Sequence, residues 1–109
     1  MIRHISVFSF KDQSPDGKSK AENIAAVRAC LQGIPAQYPS IRAQYVYAAA
    51  MEAPPLPDDA PVLFGDLIQI IDFDTAQDAA GYGPSQAHAK LQELSEGMMR
   101  KVTAIDFEM

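Results

Sequence analysis

Large apolar side chains gather in four short β-like segments separated by turn-forming residues, and two of these segments are apolar at both alternating parities. Residues 2–10, IRHISVFSF, carry Ile2, Phe8 and Phe10 on one parity and Ile5 and Val7 on the other. A strand apolar on both sides is covered on both sides, which places it inside a sheet. Residues 64–73, FGDLIQIIDF, have the same character. Ile41 to Ala48, with Tyr45, Val46 and Tyr47, and Lys101 to Glu108 complete the predicted strands.

Helical spacing fills two of the intervals. Ile24, Val27 and Leu31 recur three and four residues apart, after the turn chemistry of Pro15 and Gly17, and Gly33 and Pro35 close that helix. Asp74 or Thr75 caps a short helix over 76–80, which Gly81, Gly83 and Pro84 interrupt. Ser85 caps a second stretch with Ala87, Leu91, Leu94 and Met98 on one face, ending near residues 97–99. Residues 50–63 contain Pro54, Pro55, Pro57 and Pro61 with Asp58 and Asp59, the chemistry of a stiff surface excursion.

The resulting order is β-α-β-β-α-β over residues 1–109, read as one domain. This is an α+β, ferredoxin-like arrangement: a four-stranded antiparallel sheet with the helices on one face. Two helices cover one face only. Because the first and third strands are apolar on both parities, the other face needs a partner, and a homodimer packing sheet against sheet supplies one.

Composition narrows the partners. Nine basic against fourteen acidic side chains give a net charge of −5, with no cationic cluster for nucleic acid or an anionic membrane. No apolar run approaches the ~20 residues of a membrane span, and Met1 to His4 lack the features of a signal peptide, so a cytoplasmic location is expected. The single cysteine, Cys30, forms no internal disulfide and excludes a multi-cysteine zinc site.

The residues able to carry chemistry are few. Neither GxGxxG nor GxxxxGK occurs, nor do HExxH, EF-hand or GxSxG patterns, so neither a cofactor nor a metal is expected. The two histidines, His4 and His88, then draw the eye. Tyr82 and His88 flank the interruption at Gly83 and Pro84, which frees the phenol to turn back toward the imidazole. His88 would stand third in the helix capped by Ser85, near the positive end of the dipole, where a neutral ring able to act as a base is favoured. His4 and Ser6 place two polar groups on one parity of the first strand, and Tyr45 and Tyr47 share a parity of the second and line the same cavity. Each has a plainer reading: Tyr82, Tyr45 and Tyr47 as packing aromatics, the histidines as satisfied structural residues, Asp106 and Glu108 as solvation or edge protection.

The opening IRHISVFSFK, the helix ending before IPAQYPSI, the segment LIQIIDFDTAQDAAGYGPSQAHAKL and the closing VTAIDFE together resemble the stress-responsive A/B barrel family across essentially the whole chain. The resemblance implies a homodimer whose sheets form a dimeric α/β barrel, with a small cavity in each subunit between sheet and helices. A plant polyketide cyclase of that family uses a Tyr and a His at the spacing of Tyr82 and His88 for an intramolecular aldol closure, and His4 matches the family's first-strand histidine. Where the family commonly reads His-Pro-x-His, this chain has Ser85-Gln86-Ala87-His88.

The expectation is a small-molecule-binding dimer with Tyr82 and His88 as catalytic residues and His4, Ser6, Tyr45 and Tyr47 as binding residues. The molecule is small, partly apolar and oxygen-bearing, and the chemistry is that of a cofactor-free cyclase or isomerase with His88 as base. Whether the chain is an enzyme stays open at this point. The alternatives are a stress-associated structural dimer with a closed cavity and a cofactor-independent monooxygenase.

Overall fold

In a computed structural model describing residues 1–57 and 59–109, the apolar segments pair into one antiparallel sheet in the order β2-β3-β1-β4. The strands are β1 (Ile2–Phe10), β2 (Ile41–Ala48), β3 (Leu67–Phe73) and β4 (Met99–Glu108), with helices α1 (Lys20–Gln32), α2 (Ile34–Gln37), α3 (Ala76–Tyr82) and α4 (Gln86–Ser95) between them. Asp58, one of the two aspartates of the proline-rich excursion, lies outside the described residues.

The two strands that are apolar on both parities are the central ones. Phe8 and Phe10 of β1 and Leu67, Ile71 and Phe73 of β3 point to one face, where Val27, Leu31, Ile34 and Leu91 of the helices bury them. Each such side chain contributes roughly 1.5–3 kcal/mol through area removed from water, so this layer fixes the helices on the sheet. Local signals agree with it: Ser19 and Glu22 form a reciprocal capping box at the start of α1, and Gly33 closes that helix.

Several boundaries differ from the sequence reading: α3 continues through Gly81 to Tyr82, β4 starts at Met99 instead of Lys101, and three further differences have a packing reason. Phe64 to Asp66 are not in β3. The Phe64 carbonyl accepts the Ser9 hydroxyl at 2.8 Å and the Asp66 carboxylate accepts the Phe10 N–H at 2.7 Å, tying the incoming loop over β1. Gly65 passes so close that a β-carbon there would lie 2.2 Å from Val7 Cγ1. Secondly, α2 follows α1 at once, because Pro35 sits in its first turn, a position where proline starts a helix as readily as it ends one. Thirdly, the apolar stripe of α4 stops at Leu91: Leu94 is exposed, and Met98 is buried from the connection after the helix, beside Gly97 at φ +80°.

The opposite face of the sheet is uncovered. It presents Ile5 and Val7 of β1, Ile68 and Ile70 of β3, Tyr45 and Tyr47 of β2, and Ile105 and Phe107 of β4, with Arg3 and Asp72 paired directly across the central strands at 2.7 Å. β4 is exposed along nearly its whole length on both faces, since the helices lie over the other three strands. Among the described residues no helix is long and apolar enough to cross a membrane.

Candidate functional site

The junction between α3 and α4 is made by Ser85. Its extended backbone (φ −69°, ψ 157°) breaks the helical run. Its hydroxyl donates to the Tyr82 carbonyl at 2.5 Å and accepts the His88 N–H at 3.2 Å, so one side chain joins the end of α3 to the first turn of α4. The turn brings the Tyr82 and His88 rings edge to face, with centroids 5.2 Å apart.

β1 supplies the floor beneath them. His4 and Ser6 project from the same side of the strand, two residues apart, and the His4 ring lies 5.9 Å from that of Tyr82. His4 Nδ1 is 2.7 Å from a carboxylate oxygen of Asp106, its cross-strand partner in β4, and His4 Nε2 is 2.7 Å from the Ser6 hydroxyl. Opposite Ser6, in β3, Gln69 is fully buried and donates its amide N–H to Gln44 Oε1 at 2.9 Å and to the Tyr82 hydroxyl at 3.3 Å. Tyr38 and Phe73 close the far side of Tyr82, and the Tyr38 hydroxyl is anchored on the Asp78 carbonyl at 2.7 Å.

The electrostatics favour uncharged groups. Burial pushes the His88 pKa down, His4 beside it adds to the effect, and the Gly83 carbonyl opposes it. His88 Nδ1 is buried without a hydrogen-bond partner among the described residues, although the backbone N–H of the same residue is capped. Burial also raises the Tyr82 pKa, while the Gln69 hydrogen bond acts in the other direction, so the phenol keeps its proton at neutral pH. A neutral imidazole beside an intact phenol is able to take a proton from one atom of a bound molecule while a hydroxyl donates to another.

The structure thus brings His4, Ser6, Tyr82 and His88 together and leaves Tyr45 and Tyr47 apart from them. A β-bulge between Ile41 and Ala43 shifts the register of β2. Ile41 packs on the core, whereas Tyr45 and Tyr47, of the same parity, pair with Ile70 and Ile68 on the uncovered face. The expectation that these tyrosines line the cavity is therefore corrected. Conversely, Gln69, Tyr38 and Asp106 belong to the cluster without having been assigned to it. Asp106 reads as edge protection until pairing sets it opposite His4, a contact spanning 102 residues.

Access to the cluster comes from the β4 side, where the His4 side chain is 16% exposed and that of Asp106 61% exposed. A separate cavity of about 1070 Å³ lies at the Phe10 end of the sheet, between the start of α1 and the loop after β2, and is lined by Lys20, Ile24, Met51, Phe64 and Asp66 among others. None of His4, Tyr82 and His88 reaches it. Among the described residues no group of three or more His, Cys, Asp or Glu side chains is placed to hold a metal ion.

No family model matches the sequence, and no curated protein matches it either. Solved structures do. A dimeric protein of unknown function with a ferredoxin-like fold from Bacteroides fragilis NCTC 9343 superposes with a TM-score of 0.77 at 18% identity, over 99% of this chain and 95% of that one. Hydroxynitrile lyase from Passiflora edulis gives 0.73 at 12% identity, over 99% and 92%. A candidate antibiotic biosynthesis monooxygenase from Nitrosomonas europaea gives 0.68 at 14% identity, over 100% and 98%. These likenesses establish the ferredoxin-like α+β fold, and their differing chemistries show that the fold alone selects none.

Proposed function

We propose that the chain is a homodimer related to the stress-responsive A/B barrel proteins. Residues 1–109 act as one domain, and each subunit binds a small, partly apolar, oxygen-bearing molecule against His4, Ser6, Tyr82 and His88. The observation that carries this reading is the meeting of a neutral, half-buried imidazole and a protonated phenol at a 5.2 Å ring separation. The uncovered sheet face supports the dimer: Tyr47 and Ile105 are 56% and 59% exposed in the single chain, and the Bacteroides fragilis neighbour is described as dimeric. The working location is the cytoplasm, and the chemistry needs no cofactor.

In the reaction this arrangement serves, Tyr82 donates a hydrogen bond to a carbonyl oxygen and so stabilises the charge that develops there. His88 removes a proton from the adjacent carbon. The resulting enolate closes on a second carbonyl of the same molecule or is reprotonated at another carbon, giving a cyclisation or an isomerisation. A purely structural dimer is the second reading, favoured by the 3% exposure of Tyr82.

A thermal-shift screen of small oxygen-bearing aromatic and polyketone compounds separates the two. Binding by the wild type that is lost in His88→Ala and weakened in Tyr82→Phe supports the site. Identical behaviour of all three proteins supports the structural dimer.

A further inference from the structure

The carboxylate of Asp106, the imidazole of His4 and the hydroxyl of Ser6 form a continuous chain, with both links 2.7 Å long. A carboxylate only accepts, so Nδ1 of His4 donates to Asp106. In the neutral ring this leaves the lone pair of Nε2 to accept the Ser6 hydroxyl. With its proton directed at His4, the buried Ser6 oxygen keeps its lone pairs for attack. This is the order of parts that turns an ordinary serine into a nucleophile: base on one side, orienting carboxylate behind it.

The groups in front of Ser6 complete the arrangement. Gln69, directly opposite Ser6 in β3, gives its two amide hydrogens to Gln44 at 2.9 Å and to the Tyr82 hydroxyl at 3.3 Å, so the donor left in this group is the Tyr82 O–H. The Tyr82 oxygen accepts in that contact and keeps its own proton for donation. On the other flank Ser6 is paired with Ala104 of β4, a small exposed residue beneath no helix, so the approach on that side carries only a methyl group.

The geometry points to a second chemistry at this pocket, in which Ser6 takes an acyl group from an activated ester or thioester of a small acid, with His4 as base and Asp106 as its positioning residue. It rests on the pocket reading above only in needing a small molecule to reach the helix side of β1. Ser6 Oγ forms a bond to the carbonyl carbon and its proton passes to His4 Nε2. The electron pair displaced onto the carbonyl oxygen is held by the Tyr82 O–H, whose own oxygen is supported by the Gln69 N–H. When the tetrahedral species collapses, the bond to the leaving oxygen or sulfur breaks and His4 returns the proton to it. Water, deprotonated by the same imidazole, then releases the acid and restores the Ser6 hydroxyl.

The test is labelling of the full chain with a fluorophosphonate and turnover of p-nitrophenyl acetate, followed by peptide mass spectrometry. The expected result is one modification per chain, on Ser6, and a burst of p-nitrophenolate. Ser6→Ala abolishes both, and His4→Ala slows them about 100-fold or more. The Asp106 carboxylate is more exposed than that of a buried triad, so Asp106→Asn costs about 10-fold, less than there. Asp106→Glu, which keeps a carboxylate within reach of His4 Nδ1, restores most of the rate. A structural role for Asp106 would give no such rescue. Unmodified Ser6 in the wild type at saturating probe overturns the assignment without recourse to any variant. If the compounds of the thermal-shift screen still bind while Ser6 stays unmodified, the acyl chemistry falls and the proton-abstraction reading survives. If nothing binds and nothing labels, both fall.

Discussion

Gly81 is the position where the packing of the site is most open to a quantitative test. It lies in the last turn of α3, where replacing glycine by alanine ordinarily gains about 0.5–1 kcal/mol of helix propensity. A β-carbon there would fall 2.5 Å from the Tyr38 hydroxyl oxygen, well inside contact distance. Tyr38 has little room to yield, because its ring packs on Phe73 and Tyr82 and its hydroxyl is fixed to the Asp78 carbonyl. Losing that hydrogen bond costs about 1 kcal/mol and displacing the ring about 1–3 more, so Gly81→Ala should destabilise by roughly 1–3.5 kcal/mol net of the propensity gain. For a chain of this length that is a fall in Tm of about 4–15 °C. Removing the hydroxyl reverses the sign: the next Tyr38 atom, Cζ, would lie 3.6 Å from the new carbon, an ordinary contact. In a Tyr38→Phe background Gly81→Ala should therefore stabilise, by up to ~1 kcal/mol. The assay is urea denaturation of the four proteins of the cycle at one fixed chain concentration. Equal effects of Gly81→Ala in the two backgrounds would refute the clash, and with it the claim that Tyr38 sets the approach of α3 to the sheet.

Two further outcomes follow from the charge and the surface of the molecule. Because folding lowers the His88 pKa, the unfolded chain takes up that proton first, so stability present above about pH 6.5 is lost as the pH falls below it. Thermal melts from pH 8 to pH 5 should show a decline that flattens in His88→Gln, and an unchanged slope in that variant would contradict the assignment. Ile70 lies between Ile5 and Tyr45 on the uncovered sheet face, so Ile70→Lys should convert a dimer to a monomer in sedimentation velocity at micromolar concentration. A wild type that already sediments as a monomer would remove the dimer from the proposal.

The architecture was legible because β1 and β3 announce themselves as central through apolar residues on both parities, while Thr75 and Ser85 mark their helix starts with side chains that do cap. Tyr82 and His88 were also legible, since the interruption between them lies within six residues of sequence. The facing of Tyr45 and Tyr47 was not, for a reason of geometry. One extra residue near Arg42 turns the strand over, so Ile41 enters the core and the tyrosines leave it, though alternation alone puts all three on one side. Asp106 and Gln69 escaped for another reason: their roles are set by a cross-strand neighbour 102 residues away and a helix residue 13 away, and no local pattern records such a partner.

The 102-residue span between His4 and Asp106 also orders events in time. The Tyr82–His88 contact closes within the short α3–α4 segment and needs only a short loop to form, on the microsecond scale of local structure. The carboxylate reaches His4 only after β4 has docked along β1, the most distant strand pairing in the protein and, by contact-order reasoning, among its slowest steps. A folding chain thus passes through a stage in which the imidazole–phenol pair is assembled while His4 still turns freely. Pulsed labelling of His4 during refolding would register the moment at which the cluster is finished.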